Sequence, residues 1–96
     1  MARYFVQYEI DNNRTTEDRA ELKKRYQGFV ALIKQQLANG QIKEYNAFAG
    51  EGMGYAIVEG DAKDVHALAM IYAPYIKFVT KALVSIDEVA DIVEAM

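Results

Sequence analysis

The run Gly54-Tyr55-Ala56-Ile57-Val58-Glu59-Gly60-Asp61 constrains the fold more than any other stretch of this 96-residue chain. From Tyr55 to Glu59 the side chains alternate at a period of two, as in a strand. Beyond Gly60-Asp61 the apolar positions Val65, Leu68, Ala69 and Tyr72 recur at about 3.6 residues, as on one face of a helix. A strand therefore runs directly into a helix, with Asp61 at the cap and Pro74 as the stop. The junction places the fold and names no chemistry.

The same periodicities organise the rest. Arg3 to Ile10 reads as a half-buried strand, with Tyr4, Val6, Tyr8 and Ile10 on one face and Phe5, Gln7 and Glu9 on the other. Asp11-Asn12-Asn13-Arg14 is a polar turn, after which Thr15 or Thr16 can cap a helix with Glu17 and Asp18 at its positive dipole end. Leu22, Tyr26, Phe29, Val30, Ile33 and Leu37 form the apolar stripe of that helix, and Asn39-Gly40 stops it. Gly28 costs its middle about 1 kcal/mol relative to alanine, which close packing on a sheet would explain. Gln41 to Ala49 is a second strand, joined through Gly50-Glu51-Gly52-Met53-Gly54 to the strand Tyr55 to Glu59. A phosphate loop leads from a strand into a helix N-terminus, whereas this glycine run leads into a strand and reads as a hairpin. Tyr75 to Leu83 is the fourth strand. Ser85-Ile86-Asp87-Glu88 is a capping box opening a last helix, with Val89, Ile92, Val93 and Met96 on one side.

The order β-α-β-β-α-β plus a terminal helix specifies a single α+β domain over residues 1–96, of the ferredoxin-like kind: a four-stranded antiparallel sheet with both main helices on one face. The composition, 52% hydrophobic and 26% charged with one proline, is that of a folded globular chain. The absence of cysteine removes disulfides and thiolate chemistry and fits a reducing compartment. With no signal-peptide pattern and no apolar run of membrane-spanning length, the expectation is a cytoplasmic protein with no membrane partner. A net charge of -3 and a pI near 5.1 argue against a nucleic-acid partner.

One sheet with helices on one side leaves the other side bare. With Ala56 and Val58 toward the helices, Tyr55, Ile57 and Glu59 face outward together with Phe5, Gln7 and Glu9. On the fourth strand Ile76, Phe78, Thr80 and Ala82 face the helices, leaving Lys77, Val79 and Lys81 on the open side. The second strand is open to two readings, with either Glu44, Asn46 and Phe48 or Lys43, Tyr45 and Ala47 outward. Phe5, Tyr55, Ile57 and Val79 then make an apolar patch larger than a monomer ordinarily exposes. A second copy packing sheet to sheet is the simplest cover, with Lys77 and Lys81 available to neutralise Glu9 and Glu59 in the shared interior.

The run Gly54 to Asp61, the short helix after it and the segment Ile71-Tyr72-Ala73-Pro74-Tyr75-Ile76-Lys77-Phe78 resemble a family of small proteins without an assigned activity in the dimeric α+β barrel superfamily. The resemblance implies a homodimer whose two sheets form a barrel. It also implies a range of roles: cofactor-free monooxygenases, ring isomerases, haem-degrading enzymes and proteins with no known activity. Members of that family often carry a Trp-His pair on the second strand. Here Tyr45-Asn46-Ala47-Phe48 has neither, so the resemblance does not extend to histidine-dependent chemistry.

These readings converge on a homodimer that binds a small organic ligand, with no cofactor and no metal. The cavity is expected between sheet and helices or at the dimer centre. The ligand-binding or dimer face is Phe5, Gln7, Glu9, Tyr55, Ile57, Glu59 and Val79. The alternative is a cofactor-free monooxygenase or isomerase using Glu59 as a partly desolvated base, with Tyr55 or Lys77. Against it stand the plain readings of Glu59 as an ion-paired strand end and Tyr55 as interface filler. His66, the only histidine, has Ala62, Met70 and Ala73 for helical neighbours and no second ligand type, so it reads as a surface residue. Lys23-Lys24-Arg25 is interleaved with Glu17, Asp18 and Glu21, the pattern of a solvated helix face. A further alternative, an RNA-recognition-like module, shares the element order. Tyr55 fits one stacking position, but Ile57 stands at the second and Met53 replaces the leading basic residue.

Overall fold

The computed structural model describes residues 2–10, 18–72 and 75–96. The elements follow in the order β1 (Ala2–Ile10), α1 (Arg19–Ala38), β2 (Ile42–Ala47), β3 (Met53–Gly60), α2 (Ala62–Tyr72), β4 (Ile76–Leu83) and α3 (Ile86–Glu94). The polar turn 11–14, the caps placed at Thr15 or Thr16 and the stop at Pro74 lie outside the described residues. Asp18, expected inside the first turn of α1, is instead its cap: its carboxylate accepts from the amides of Ala20 and Glu21. At the other end Asn39 is the C-cap, and Gly40 adopts φ 83°, a left-handed conformation suited to glycine. Asp61 caps α2 through a 3.1 Å bond from the Asp64 amide, and Ser85 and Glu88 close both bonds of the expected capping box.

The strands form one antiparallel sheet in the order β2-β3-β1-β4. Each β-α-β unit is therefore split. Strand β3 lies between β1 and β2, and β1 lies between β3 and β4. Strand β3 begins two residues earlier than the alternation suggests, because Met53 and Gly54 pair with Glu9 and Tyr8. The glycine run is a tight hairpin in which the Phe48 amide donates to Met53 O at 2.8 Å.

Gly54 is required by packing. A Cβ there would collide with the carbonyl oxygen of Asn46 and with the Tyr8 ring, which crosses the glycine to reach that same oxygen at 3.3 Å. Gly28 has the opposite surroundings. It is exposed, with nothing within 4 Å of a Cβ, so close packing on the sheet does not account for it.

Both α1 and α2 cover the same face. Ile33 of α1 and Val65 of α2 join Val6, Ile42, Ala56 and Val58 in one buried cluster. Full burial of each such valine or isoleucine contributes about 1.5–3 kcal/mol. An aromatic layer lies around it. Tyr8 stacks on Tyr45 at 5.2 Å, while Phe29 meets Tyr45 and Tyr72 edge-on. Burial pushes the Tyr45 phenol far above its ordinary value, with its hydrogen bond to Tyr8 adding to the effect. Gln36 is 3% exposed and accepts a 2.8 Å hydrogen bond from Tyr72, tying α1 to α2. The cover is incomplete, since every residue from Val79 to Met96 is exposed, including Thr80 and Ala82 on the helix side of β4.

Candidate functional site

Pairing register settles which residues share the open face. Phe5 lies opposite Ile57, Gln7 opposite both Tyr55 and Val79, and Glu9 opposite Lys77. The ambiguity on β2 is resolved by an irregularity between Ile42 and Glu44. Ile42 is buried opposite Val58, yet two residues later Glu44 lies opposite Ile57 on the other face. One extra residue, Lys43, reverses the alternation, as a β-bulge does. Glu44, Asn46 and Phe48 consequently belong with the open face, while Tyr45 belongs with the core.

Tyr55 is the centre of this face. Its hydroxyl donates a 2.6 Å hydrogen bond to Glu44 Oε1, and Asn46 Nδ2 donates to both the Tyr55 hydroxyl (3.1 Å) and Glu44 Oε1 (3.0 Å). The Glu44 bond holds the Tyr55 phenol above its ordinary value, against a smaller opposite effect of Asn46. Phe5 stacks on the tyrosine ring at 5.4 Å and Phe48 approaches it at 6.2 Å. Three side chains are thus fixed by one another: Tyr55, its register partner Asn46, and Glu44 two residues before Asn46 on the same strand.

Glu59 belongs to a separate group. Arg3, its register partner on β1, donates from Nε to Glu59 Oε2 at 3.0 Å, and Lys43 Nζ lies 4.0 Å from Oε1. These are the cations beside Glu59 within one chain, while Lys77 lies opposite Glu9 and Lys81 opposite Phe5, both exposed on β4. Val79 is 57% exposed, whereas Phe5, Tyr55 and Ile57 are half-buried. The structure therefore separates the sequence-derived residues into a β3-centred cluster and an exposed β4 edge. Sequence reasoning gave Arg3 no part at Glu59 and left Lys43, Glu44 and Asn46 undecided.

Between sheet and helices is an apolar cavity of about 40 Å³, lined by Val6, Phe29, Val58 and Leu68 among others. A water molecule occupies about 30 Å³ in the liquid, so this space holds no organic ligand. A larger groove of about 430 Å³ runs between α1 and α2, walled by Tyr26, Phe29, Leu32, Ile71 and Tyr75. Arg25 stands at this groove, paired with Glu21 at 2.9 Å and lying 5.5 Å above the Tyr75 ring. His66 is exposed, and among the described residues no three His, Cys, Asp or Glu side chains converge on a metal position. No described helix is long and apolar enough to cross a membrane.

The chain is thus α+β, built on a four-stranded antiparallel sheet with an aromatic and polar cluster on its open face. No protein-family model matches the chain, and comparison with curated proteins gives no match either.

Proposed function

We propose that the protein is a ferredoxin-like subunit of a homodimeric α+β barrel that binds a small organic molecule on the open sheet face, at the Tyr55-Glu44-Asn46 cluster. The split β-α-β units, with β1 and β3 central and both α1 and α2 on one face, support the fold. The observation that carries the binding reading is the closed triangle of hydrogen bonds among Tyr55, Glu44 and Asn46, set between Phe5 and Phe48. Ligand sites combine an apolar wall with a few oriented polar groups, and this is the place on the open sheet face where both occur together. The enclosed interior of about 40 Å³ is small, and the competing space is the 430 Å³ groove of α1 and α2, which reaches Ile10 and Ile76 on the helix side of the sheet. A second sheet facing this one would cover Val79 and enclose the cluster.

The ligand that fits has a flat or apolar body and a hydrogen-bonding edge. A fragment screen by ligand-observed NMR tests the reading. Hits that compete with one another and weaken at least tenfold in Tyr55→Phe and in Glu44→Gln are expected. Hits indifferent to both substitutions would remove the site. Light scattering tests the dimer separately, a monodisperse monomer at micromolar concentration being the adverse result.

Cofactor-free proton-transfer catalysis is a second reading, favoured by the 2.6 Å phenol-carboxylate contact of Tyr55 and Glu44. That contact moves the candidate acid-base pair away from Glu59, which is ion-paired to Arg3 and near Lys43. RNA stacking is disfavoured because the carboxylates of Glu9, Glu44 and Glu59 share the face that carries the Tyr55 ring.

A further inference from the structure

Helix α3 is completely formed yet buries none of its own residues. Both capping-box bonds are present, and all nine of its residues are exposed, Ile92 and Val93 at 59% each. Its apolar side carries Ile86, Val89, Ile92 and Val93, with Met96 just beyond its end, and its polar side Asp87, Glu88, Asp91 and Glu94. A nine-residue helix lies below the length, about 12–15 residues, at which even favourable sequences hold a helix alone in water. An apolar surface must therefore complete it.

The charge distribution indicates which surface. Of the fourteen carboxylates in the chain, four lie in α3, and none of the eleven Lys and Arg residues does. The rest of the chain thus has ten acids against eleven cations and attracts the arm, whereas two α3 helices repel each other. On α1, Tyr26, Val30 and Leu37 are exposed large apolar side chains at helical spacing. Arg19, Lys23 and Lys34 lie along the same flank, beside Tyr26 and Val30.

The chain's own α1 is badly placed to receive the arm. Helix α3 starts from the β4 edge after the two residues Val84 and Ser85, which reach about 7 Å at full extension. Helix α1 makes its main sheet contacts on β2 at the opposite edge, three strand spacings or about 14 Å away, and meets the β4 side at Arg25 over Tyr75, the end of β4 remote from α3. Tyr72 of α2 lies between, 6.2 Å from Phe78 of β4 and 5.3 Å from Phe29 of α1.

We infer that α3 is an exchange arm, lying with its apolar side on the Tyr26-Val30-Leu37 flank of α1 in a second copy of this chain and receiving that copy's arm in return. Reciprocal exchange closes the assembly at two subunits and buries two helices rather than one, toward the roughly 1,200–2,000 Å² of stable interfaces. The inference rests on the homodimer proposed above, but not on its ligand or its sheet-to-sheet contact.

The chain lacks cysteine, so single cysteines report contacts directly. Full-length Val30→Cys is mixed with a size-tagged full-length Val93→Cys and oxidised gently. Both positions are exposed, and far-UV circular dichroism checks that each variant is folded. A disulfide joining the two variants should exceed either self-linked species at least threefold and fall at high salt. A Val93-to-Val93 product in excess, or no mixed product, would overturn the arm. In a double variant carrying both cysteines, a bond confined to one chain would overturn it as well. Ile57→Cys reads the sheet-to-sheet contact on its own. An Ile57 self-linked dimer without the mixed product rejects the arm and spares the barrel, and the mixed product without the Ile57 dimer does the reverse.

Discussion

The Tyr55 hydroxyl lies 2.6 Å from Glu44 Oε1, a phenol donating to a carboxylate on the neighbouring strand across the open face of the sheet. The bond exists only while the phenol keeps its proton, and it raises the Tyr55 pKa. A group whose folded pKa is raised stabilises the fold below its unfolded pKa, about 10 for tyrosine, and that contribution is lost as pH rises through the folded value. The Tyr55 resonance in tyrosine-labelled NMR should titrate later than in Glu44→Gln, where the carboxylate is gone. Unchanged titration in Glu44→Gln would show that the bond is absent in solution.

Gly54 and Tyr8 form a second pair with a definite consequence. The Tyr8 ring and the Asn46 carbonyl occupy the space a Cβ would need. Gly54→Ala should destabilise the fold by about 1–3 kcal/mol, the range for overpacking, measured by urea unfolding. Tyr8→Ala in the same chain should make the added penalty of Gly54→Ala smaller, because one of its two obstacles is removed. Gly28→Ala, with open space around it, should instead stabilise by about 0.5–1 kcal/mol.

Inside the helix layer, Gln36 is buried and accepts from Tyr72 at 2.8 Å. Tyr72→Phe removes the donor and leaves the amide oxygen without it, at a cost of about 1–3 kcal/mol. Gln36→Leu with Tyr72→Phe removes both partners and should recover most of that loss. A double-mutant cycle showing simple additivity would mean that the two side chains do not interact.

The strands, the helices and the division of β3 into Ala56 and Val58 inward with Tyr55, Ile57 and Glu59 outward were legible because alternation carries that information. Other features depend on register or on absent contacts, to which single-sequence periodicity is blind. Lys43 changes the face of β2 by being one residue too many, and an inserted residue looks like any other in the sequence. The Arg3–Glu59 pair joins residues 56 positions apart, brought together only by the β1–β3 register. Gly54 reads as loop because glycines are abundant there, yet its register partner Tyr8 makes it part of the strand. The apolar side of α3 has the pattern of a core-facing helix, and nothing in that pattern says that every residue of the helix is exposed.

The capping box of α3 supplies a pH test of that helix. Glu88 accepts from the Ser85 amide at 3.1 Å while Ser85 Oγ accepts from the Glu88 amide at 3.1 Å. The bond from the Ser85 backbone, followed by that involving its side chain, holds the Glu88 carboxyl below its ordinary value. A lowered folded pKa means that the stabilisation is present above the unfolded value, about 4.3 for glutamate, and disappears as pH falls through the folded one. Amide exchange at Val89–Val93 should therefore accelerate at acid pH, relative to its intrinsic rate, before the sheet amides of β1 and β3 are affected. Glu88→Gln retains a neutral acceptor for the box and should flatten that dependence, whereas Ser85→Ala removes one of its two bonds and should speed exchange at every pH. Acid loss of protection that persists unchanged in Glu88→Gln would show that the capping box is not its cause.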